Sequence, residues 1–216
     1  MSILHFPPVN TAGPEGLLAI GGDLDVASLV LAYRSGVFPW PTEGLPLLWF
    51  APPTRGILDF KDLKIPKRFR RELKGKKFSY AIDQNFPKVI RYCAEGRTRV
   101  SYGTWITREM EEAYLRLHRA GYAHSFECYS PKQELIGGLY GVGVGGMFAG
   151  ESMFYHASGA SKAALLFAVD YLRSRGAKWM DIQMLSPLLR NFGGKEILRR
   201  EFMKKLRTAL KKPALF

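Results

Sequence analysis

The sequence predicts a mixed α/β (α+β) fold in which a small N-terminal domain, residues 1–62, precedes a larger sheet-and-helix domain, residues 63–216. Three observations carry that expectation. The first 60 residues are dense in proline and aromatic side chains, a pattern of turns and short elements. Strand-like runs cluster at 123–129 and 134–155. Directly after them, Leu165, Ala168, Val169 and Leu172 recur at helical spacing and mark an amphipathic helix able to cover a sheet.

Within the N-terminal part, Gly21-Gly22-Asp23 reads as a turn and Val26–Ser35 as a short helix, while the proline-aromatic runs at 38–41 and 49–53 leave room for further turns and a strand. Between Lys61 and Lys77 lie nine basic residues with little acid, which reads as a linker and as the best polyanion contact. Phe78–Ile82 reads as extended and Phe86–Ala94 as helical. Thr107 is an N-cap for a helix whose Met110, Ala113, Tyr114 and Leu117 share one face, and Gly121 ends it. The strands that follow turn at Ser130-Pro131-Lys132 and within Gly143–Gly146. A helix over Ser158–Arg175, closed by Gly176, leads to a strand at 178–184, a short turn at Pro187 and a basic helix from Arg199 to Lys212.

The balance of 32 Lys+Arg against 19 Asp+Glu leaves +13, which favours a polyanionic partner, RNA first. No membrane span or secretory h-region is legible, so the expected setting is cytoplasmic; a monomer is the default state, which the sequence does not itself specify. Cys93 and Cys128 form no CxxC pair, and His5, His118, His124 and His156 are scattered. The cysteines therefore read as reduced packing residues, with no metal site.

A glycine-dense strand pair, Gly137–Gly146, runs into Gly150-Glu151-Ser152-Met153-Phe154, and glycine lets a backbone approach a ligand closely. It is neither a phosphate-binding loop ending in Gly-Lys-Ser/Thr nor a dinucleotide fingerprint. Asp181 and Gln183 fall on one strand face, with Met180 and Ile182 on the other. A carboxylate and an amide so arranged can align an amine nucleophile, or form a solvated strand face; Glu151 can be a site acid or a turn acid. Trp49, Trp105, Phe148 and Met153 pack in a core or line an apolar pocket.

Across nearly the whole chain these blocks resemble the leucyl/phenylalanyl-tRNA–protein transferase family. The resemblance rests on Gly16-Leu17-Leu18-Ala19-Ile20-Gly21-Gly22-Asp23, Tyr33-Arg34-x-Gly36-Val37-Phe38-Pro39-Trp40, Thr104-Trp105-Ile106-Thr107, Gly137-Gly138-Leu139-Tyr140-Gly141, Gly150-Glu151-Ser152-Met153-Phe154 and Asp181-x-Gln183. It implies an acetyltransferase-like (GNAT-like) C-terminal domain and a cofactor-free acyl transfer. Leu, Phe or, less readily, Met would move from aminoacyl-tRNA to the α-amine of a protein beginning with Arg or Lys, marking it for degradation. The family assigns Gln183 to the incoming amine, Asp181 to orienting or polarising it, and Glu151 to holding the acceptor. It assigns Trp49, Trp105, Leu139, Phe148 and Met153 to the aminoacyl and adenine pocket, and Lys67, Arg68, Arg70, Arg71 and Lys74 to tRNA phosphates. Two stretches depart from the family pattern. Pro187-Leu188 stands where a Pro-His pair is usual, and Pro53-Thr54-Arg55 where Asp-Pro-Arg is usual. A coenzyme-A-dependent N-acetyltransferase, a non-catalytic tRNA-binding protein, and an acceptor beginning with Asp or Glu are the competing readings.

Overall fold

The computed structural model describes residues 2–42, 44–95 and 106–216. Near the N-terminus, β1 (Leu17–Ile20), β2 (Phe38–Pro39) and β3 (Leu48–Phe50) form a three-stranded sheet in the order β1-β3-β2, with α1 (Val26–Arg34) connecting β1 to β2. The main sheet contains β4 (Thr54–Asp59), β5 (Ser79–Ile82), β6 (Ala123–Tyr129), β7 (Leu135–Val144), β8 (Met147–Tyr155), β9 (Trp179–Gln183) and β10 (Lys195–Leu198). Its order is β10-β4-β9-β8-β7-β6-β5. Residues 54–59 thus belong to the first 62 in sequence but build the larger sheet, where β4 pairs with both β9 and β10.

One strand pair departs from the antiparallel rule. β8 and β9 run parallel and pair only at Ala149↔Asp181. A parallel neighbour needs a crossover, which α5 (Ala160–Ser174) provides. The antiparallel meander β6-β7-β8, the crossover helix and the parting of β8 from β9 are the connectivity expected of the acetyltransferase-like fold.

Helices cover both sheet faces. On one face α1, α3 (Phe86–Glu95), α4 (Arg108–Arg119) and α7 (Arg199–Leu210) contribute Leu29, Val89, Met110, Tyr114, Phe202 and Leu206 to a core that includes Tyr140 and Val142 of the sheet. On the other, α5 buries Ala164, Leu165, Ala168, Val169 and Leu172 against Phe126, Phe148, Met180 and Ile182. The caps follow the sequence. The Thr107 side chain accepts from the Met110 N–H at 3.3 Å, and Gly121 and Gly176 leave their helices at φ +79° and +87°. Cys93 and Cys128 are both buried, and neither is in a disulfide.

Two segments differ from expectation. The basic run read as a linker contains α2 (Lys67–Leu73), anchored by the buried Phe69, whose ring lies 5.7 Å from that of Phe192. Burying such a ring stabilises by about 1.5–3 kcal/mol, which offsets a repulsion of roughly 0.2–0.5 kcal/mol per like-charged pair on the outer face. The turn at Pro187 is a full helical turn, α6 (Pro187–Asn191), because Ser186 caps it at 3.2 Å and proline suits its first position.

Gly141 lies opposite Gly150, where an added Cβ would sit 2.2 Å from the Ala149 carbonyl oxygen and 2.5 Å from the Phe148 ring. Gly141→Ala is expected to destabilise the protein by about 1–3 kcal/mol, read as a lower urea midpoint at unchanged slope.

Candidate active site

Both strands of the parallel pair are irregular where they part. On β8 the register moves from Tyr140↔Ser152 to Gly141↔Gly150, which leaves Glu151 as the extra residue of a bulge. On β9 it moves from Gln183↔Gly56 to Asp181↔Ile57, which leaves Ile182 unpaired in the same way. Bulges re-aim side chains and interrupt ladders. Here they deliver Glu151 and Gln183 to the gap between the strands, where the Gln183 Nε2 donates to Glu151 Oε1 at 2.6 Å.

Beneath that contact lies a buried ion pair. Arg55 of β4 donates through Nε to Asp181 Oδ1 at 2.9 Å and through Nη2 to Oδ2 at 2.7 Å. Its guanidinium sits between the rings of Phe38 and Phe202, 4.4 and 4.7 Å from their centroids. Asp181 Oδ1 also accepts the backbone N–H of Gln183 at 2.9 Å. Gln183 has φ +50°, a left-handed conformation that costs an ordinary residue about 1–2 kcal/mol. The Asp181 carboxylate therefore acts as a fixed anchor: it holds the Gln183 backbone in a strained turn, and both its oxygens are occupied.

Glu151 sits in a different environment. The Tyr114 hydroxyl donates to its Oε2 at 3.4 Å, and the Tyr33 and Tyr114 phenols bond each other. Burial pushes its carboxyl up to about 7, and the charge of Asp181 adds to the rise, while the Tyr33 and Gln183 side chains and the charge of Arg55 oppose it. Near neutral pH this group can therefore either hold or accept a proton. Burial also raises both phenols well above their ordinary range.

A cavity of about 480 Å³ opens onto Glu151 and Gln183. Its remaining wall is largely apolar: Leu139 and Met153 of the sheet, Leu165 of α5, Met180 and Ile182 of β9, and Met184, Leu185, Leu188 and Leu189 around α6. Of the residues that the family resemblance assigns to a pocket, Leu139 and Met153 line this cavity. Trp49 and Phe148 do not line this cavity. Trp49 packs edge-on to Phe6 and donates its indole N–H to the Gly21 carbonyl at 2.8 Å. Phe148 is fully buried against Phe126 and Phe216. Trp105 lies outside the described residues.

Lys67, Arg68, Arg70 and Arg71 are exposed on α2, and Lys74 is exposed at its C-terminal end. The helix lies beside the cavity: Phe69 touches Phe192, directly after α6, and Glu72 ties α2 to the start of α5. Glu72 accepts from Ser158 Oγ at 2.5 Å and pairs with Lys162 at 3.1 Å. Among the described residues no group of three or more His, Cys, Asp or Glu could hold a metal ion, and no helix is long and apolar enough to cross a membrane.

Sequence reasoning passed over Arg55, Tyr33 and Tyr114. A usable signal was present for Arg55: it is a lone arginine directly before the apolar run Gly56-Ile57-Leu58, and Asp181 is a lone acid between Met180 and Ile182.

The folded state keeps a proton on Glu151 that the unfolded chain releases between its ordinary pKa of 4.5 and about 7, so ionisation lowers stability as pH rises through that window. Glu151→Gln cannot ionise. The melting temperature of this variant relative to the parent protein is expected to be higher at pH 8 than at pH 5; a difference independent of pH would contradict the assignment.

The family model described as "Leucyl/phenylalanyl-tRNA protein transferase" matches residues 57–207, and that for its N-terminal domain matches residues 22–53. A protein of Anaeromyxobacter dehalogenans with the name leucyl/phenylalanyl-tRNA–protein transferase is 46% identical over 210 residues, covering 97% of this chain and 90% of the relative. One of the same name from Flavobacterium johnsoniae is 46% identical over 205 residues, covering 95% and 96%. Among solved structures, a GNAT family acetyltransferase of Brucella melitensis with acetyl-CoA aligns at a TM-score of 0.43 and 14% identity, over 56% of this chain and 88% of that one. With family models spanning both parts of the fold and the bulged Glu151, Asp181 and Gln183 brought together at the parting of β8 and β9, the chain belongs to the leucyl/phenylalanyl-tRNA–protein transferase family.

Proposed function

We propose that this aminoacyltransferase moves Leu or Phe, and less readily Met, from aminoacyl-tRNA to the α-amine of a protein beginning with Arg or Lys. The observation that carries the reading is the apolar cavity of about 480 Å³ closed at one side by the Gln183–Glu151 pair. An unbranched or γ-branched apolar side chain suits walls of leucine and methionine. A carbon more or less in such a pocket is worth only about 1–3 kcal/mol, so Leu, Phe and Met are discriminated weakly and β-branched donors are rejected by shape.

In the reaction the acceptor nitrogen attacks the ester carbonyl carbon, a C–N bond forms, and the C–O bond to the terminal ribose breaks. The nitrogen loses a proton and the departing ribose oxygen gains one. Gln183 orients the amine through its side-chain amide. Glu151 is the group suited to take the proton, since its carboxyl titrates near 7 and an N-terminal amine has a reference pKa of about 7.7–8.0. Asp181, occupied by Arg55, serves as the anchor rather than as a base. The exposed Lys67, Arg68, Arg70, Arg71 and Lys74 would hold acceptor-stem phosphates without reading sequence, which makes affinity salt-dependent.

The coenzyme-A reading is disfavoured by Glu72. Its carboxylate lies over the first turn of α5, 3.0 Å from where a Cβ on Gly159 would be, and an anion there opposes a pyrophosphate. A binding-only protein leaves the raised carboxyl of Glu151 without a use. Through its product, the activity would mark proteins for degradation according to their N-terminal residue, in the cytoplasm, with the enzyme acting as a monomer and without a cofactor.

Radiolabelled Leu-tRNA or Phe-tRNA incubated with the protein is expected to label peptides beginning with Arg or Lys. Gln183→Ala is expected to lower turnover by about 10²-fold while the protein stays folded. Labelling of Asp or Glu peptides instead would change the acceptor; no labelling, with tRNA still bound, would overturn the reading.

A further inference from the structure

The outer face of α7 carries a second basic surface, apart from α2. Arg200, Lys204 and Arg207 of the helix and Lys211 at its C-cap recur at intervals of four, three and four residues, so they share one side of the helix, and all are exposed. None of them makes an ion pair or a side-chain hydrogen bond among the described residues. The neighbouring cations are committed: Lys205 to Asp59 at 3.3 Å, Arg199 to the Ala51 carbonyl at 2.6 Å and Lys212 to the Gly176 carbonyl at 3.4 Å. The acid of the helix, Glu201, accepts the Leu198 N–H at 3.3 Å.

Two features argue against an ordinary solvated helix face. Like charges at these intervals repel and weaken a helix, and Arg200 stands in the first turn, where the helix dipole favours an acid. A stripe kept unneutralised against both effects is suited to a polyanion. RNA fits it better than a lipid surface does, because the apolar side of α7, with Phe202, Leu206 and Ala209, is buried in the core and the exposed positions hold no apolar side chain to enter a bilayer. The placement agrees. The helix starts where the Arg199 N–H donates to the Pro53 carbonyl at 2.8 Å, beside the end of β4 that pairs with Gln183, and it ends where the Gly146 N–H donates to the Ala209 carbonyl at 2.9 Å, at the turn between β7 and β8. The stripe thus runs for about 16 Å, at about 1.5 Å per residue, away from the level of Gln183. Phe202 and Leu206 pack on the sheet face opposite to the one that holds Phe69 of α2, so the two basic surfaces are separate.

We propose that the α7 stripe binds the phosphate backbone of the tRNA body, beyond the acceptor stem, as a contact separate from α2. The assignment rests on the transferase reading for the identity of the polyanion. The exposed positions of α7 hold no aromatic side chain on which a base could stack, so the contact reads no sequence and acts through charge. Each phosphate it neutralises releases condensed counterions, and its share of the affinity fades as salt rises. A donor cut down to its acceptor stem would lose this contact and keep α2, the cavity and Gln183.

The test measures binding of unacylated full-length tRNA and of an acceptor-stem minihelix across a salt series. The parent chain is compared with Lys204→Gln/Arg207→Gln/Lys211→Gln and with a control, Lys88→Gln/Arg119→Gln/Lys132→Gln, which removes the same charge from exposed positions on α3, α4 and the turn between β6 and β7. For full-length tRNA the stripe variant is expected to flatten the slope of log affinity against log salt by about two to three, while its minihelix binding matches that of the control at an unchanged melting temperature. An unchanged slope in the stripe variant would overturn the proposal, as would an equal loss in the control or on the minihelix. Stripe-dependent sedimentation with phosphatidylglycerol vesicles, with tRNA binding unaffected, would overturn it in favour of a membrane surface. Label transfer from Phe-tRNA to an Arg-initiated peptide, run on the same samples, separates the two claims. A stripe-dependent slope without transfer upholds the surface and counts against the transferase reading. Transfer with an unchanged slope does the reverse.

Discussion

The buried pairing of Arg55 with Asp181 is the constraint on which the site depends. Two charges removed from water are costly, and the attraction repays that cost only with good geometry and every remaining hydrogen-bonding position filled. Here the guanidinium is bidentate, its faces are covered by Phe38 and Phe202, and the carboxylate's spare capacity goes to the Gln183 N–H. The pair therefore does more than join β4 to β9. It stabilises a left-handed residue next to a bulge, so that a strand ends with its amide side chain turned across a gap instead of along the ladder.

From that turn the chemistry separates into two carboxylates with opposite tasks. Asp181 is paired with a fixed cation and keeps geometry; Glu151, beside two phenols and an amide, has its carboxyl raised by burial to about 7 and keeps a proton within reach. The parallel pair β8/β9 parts after one pairing, and both strands carry an extra residue there, which makes room for a ligand between them. The polar pair lines the apolar cavity, and the basic helix α2 packs through Phe69 on Phe192, directly after the α6 that helps to wall it. Those surfaces suit a donor whose side chain is apolar, whose ester is reactive and whose body is polyanionic.

Much of this was legible in the sequence, and the limits have physical causes. Period-two reasoning brought Asp181 and Gln183 together, and helical spacing found α4 and α5 with their caps, because these signals are local. The partner of Asp181 was hidden by distance: Arg55 is 126 residues away, and a single sequence does not reveal long-range pairing. Trp49 and Phe148 were expected beside Leu139 and Met153 on a family resemblance, yet an aromatic residue in a strand suits a core as well as a pocket. The face it occupies depends on register. A bulge at Glu151 resets that register, and no residue pattern marks it. The charge of the basic run masks its apolar anchors, the buried Phe69 with Leu63, Ile65 and Leu73 around it.

The central claim is that Arg55 and Asp181 act as one unit that positions Gln183. A double-mutant cycle on the turnover number for Phe transfer to an Arg-initiated peptide, using Arg55→Gln, Asp181→Asn and both together, tests it most directly. If the claim holds, the double variant is no slower than the worse single variant, because the first substitution already releases the turn. Losses that multiply would show that the two residues act independently, and the account of the site would be wrong.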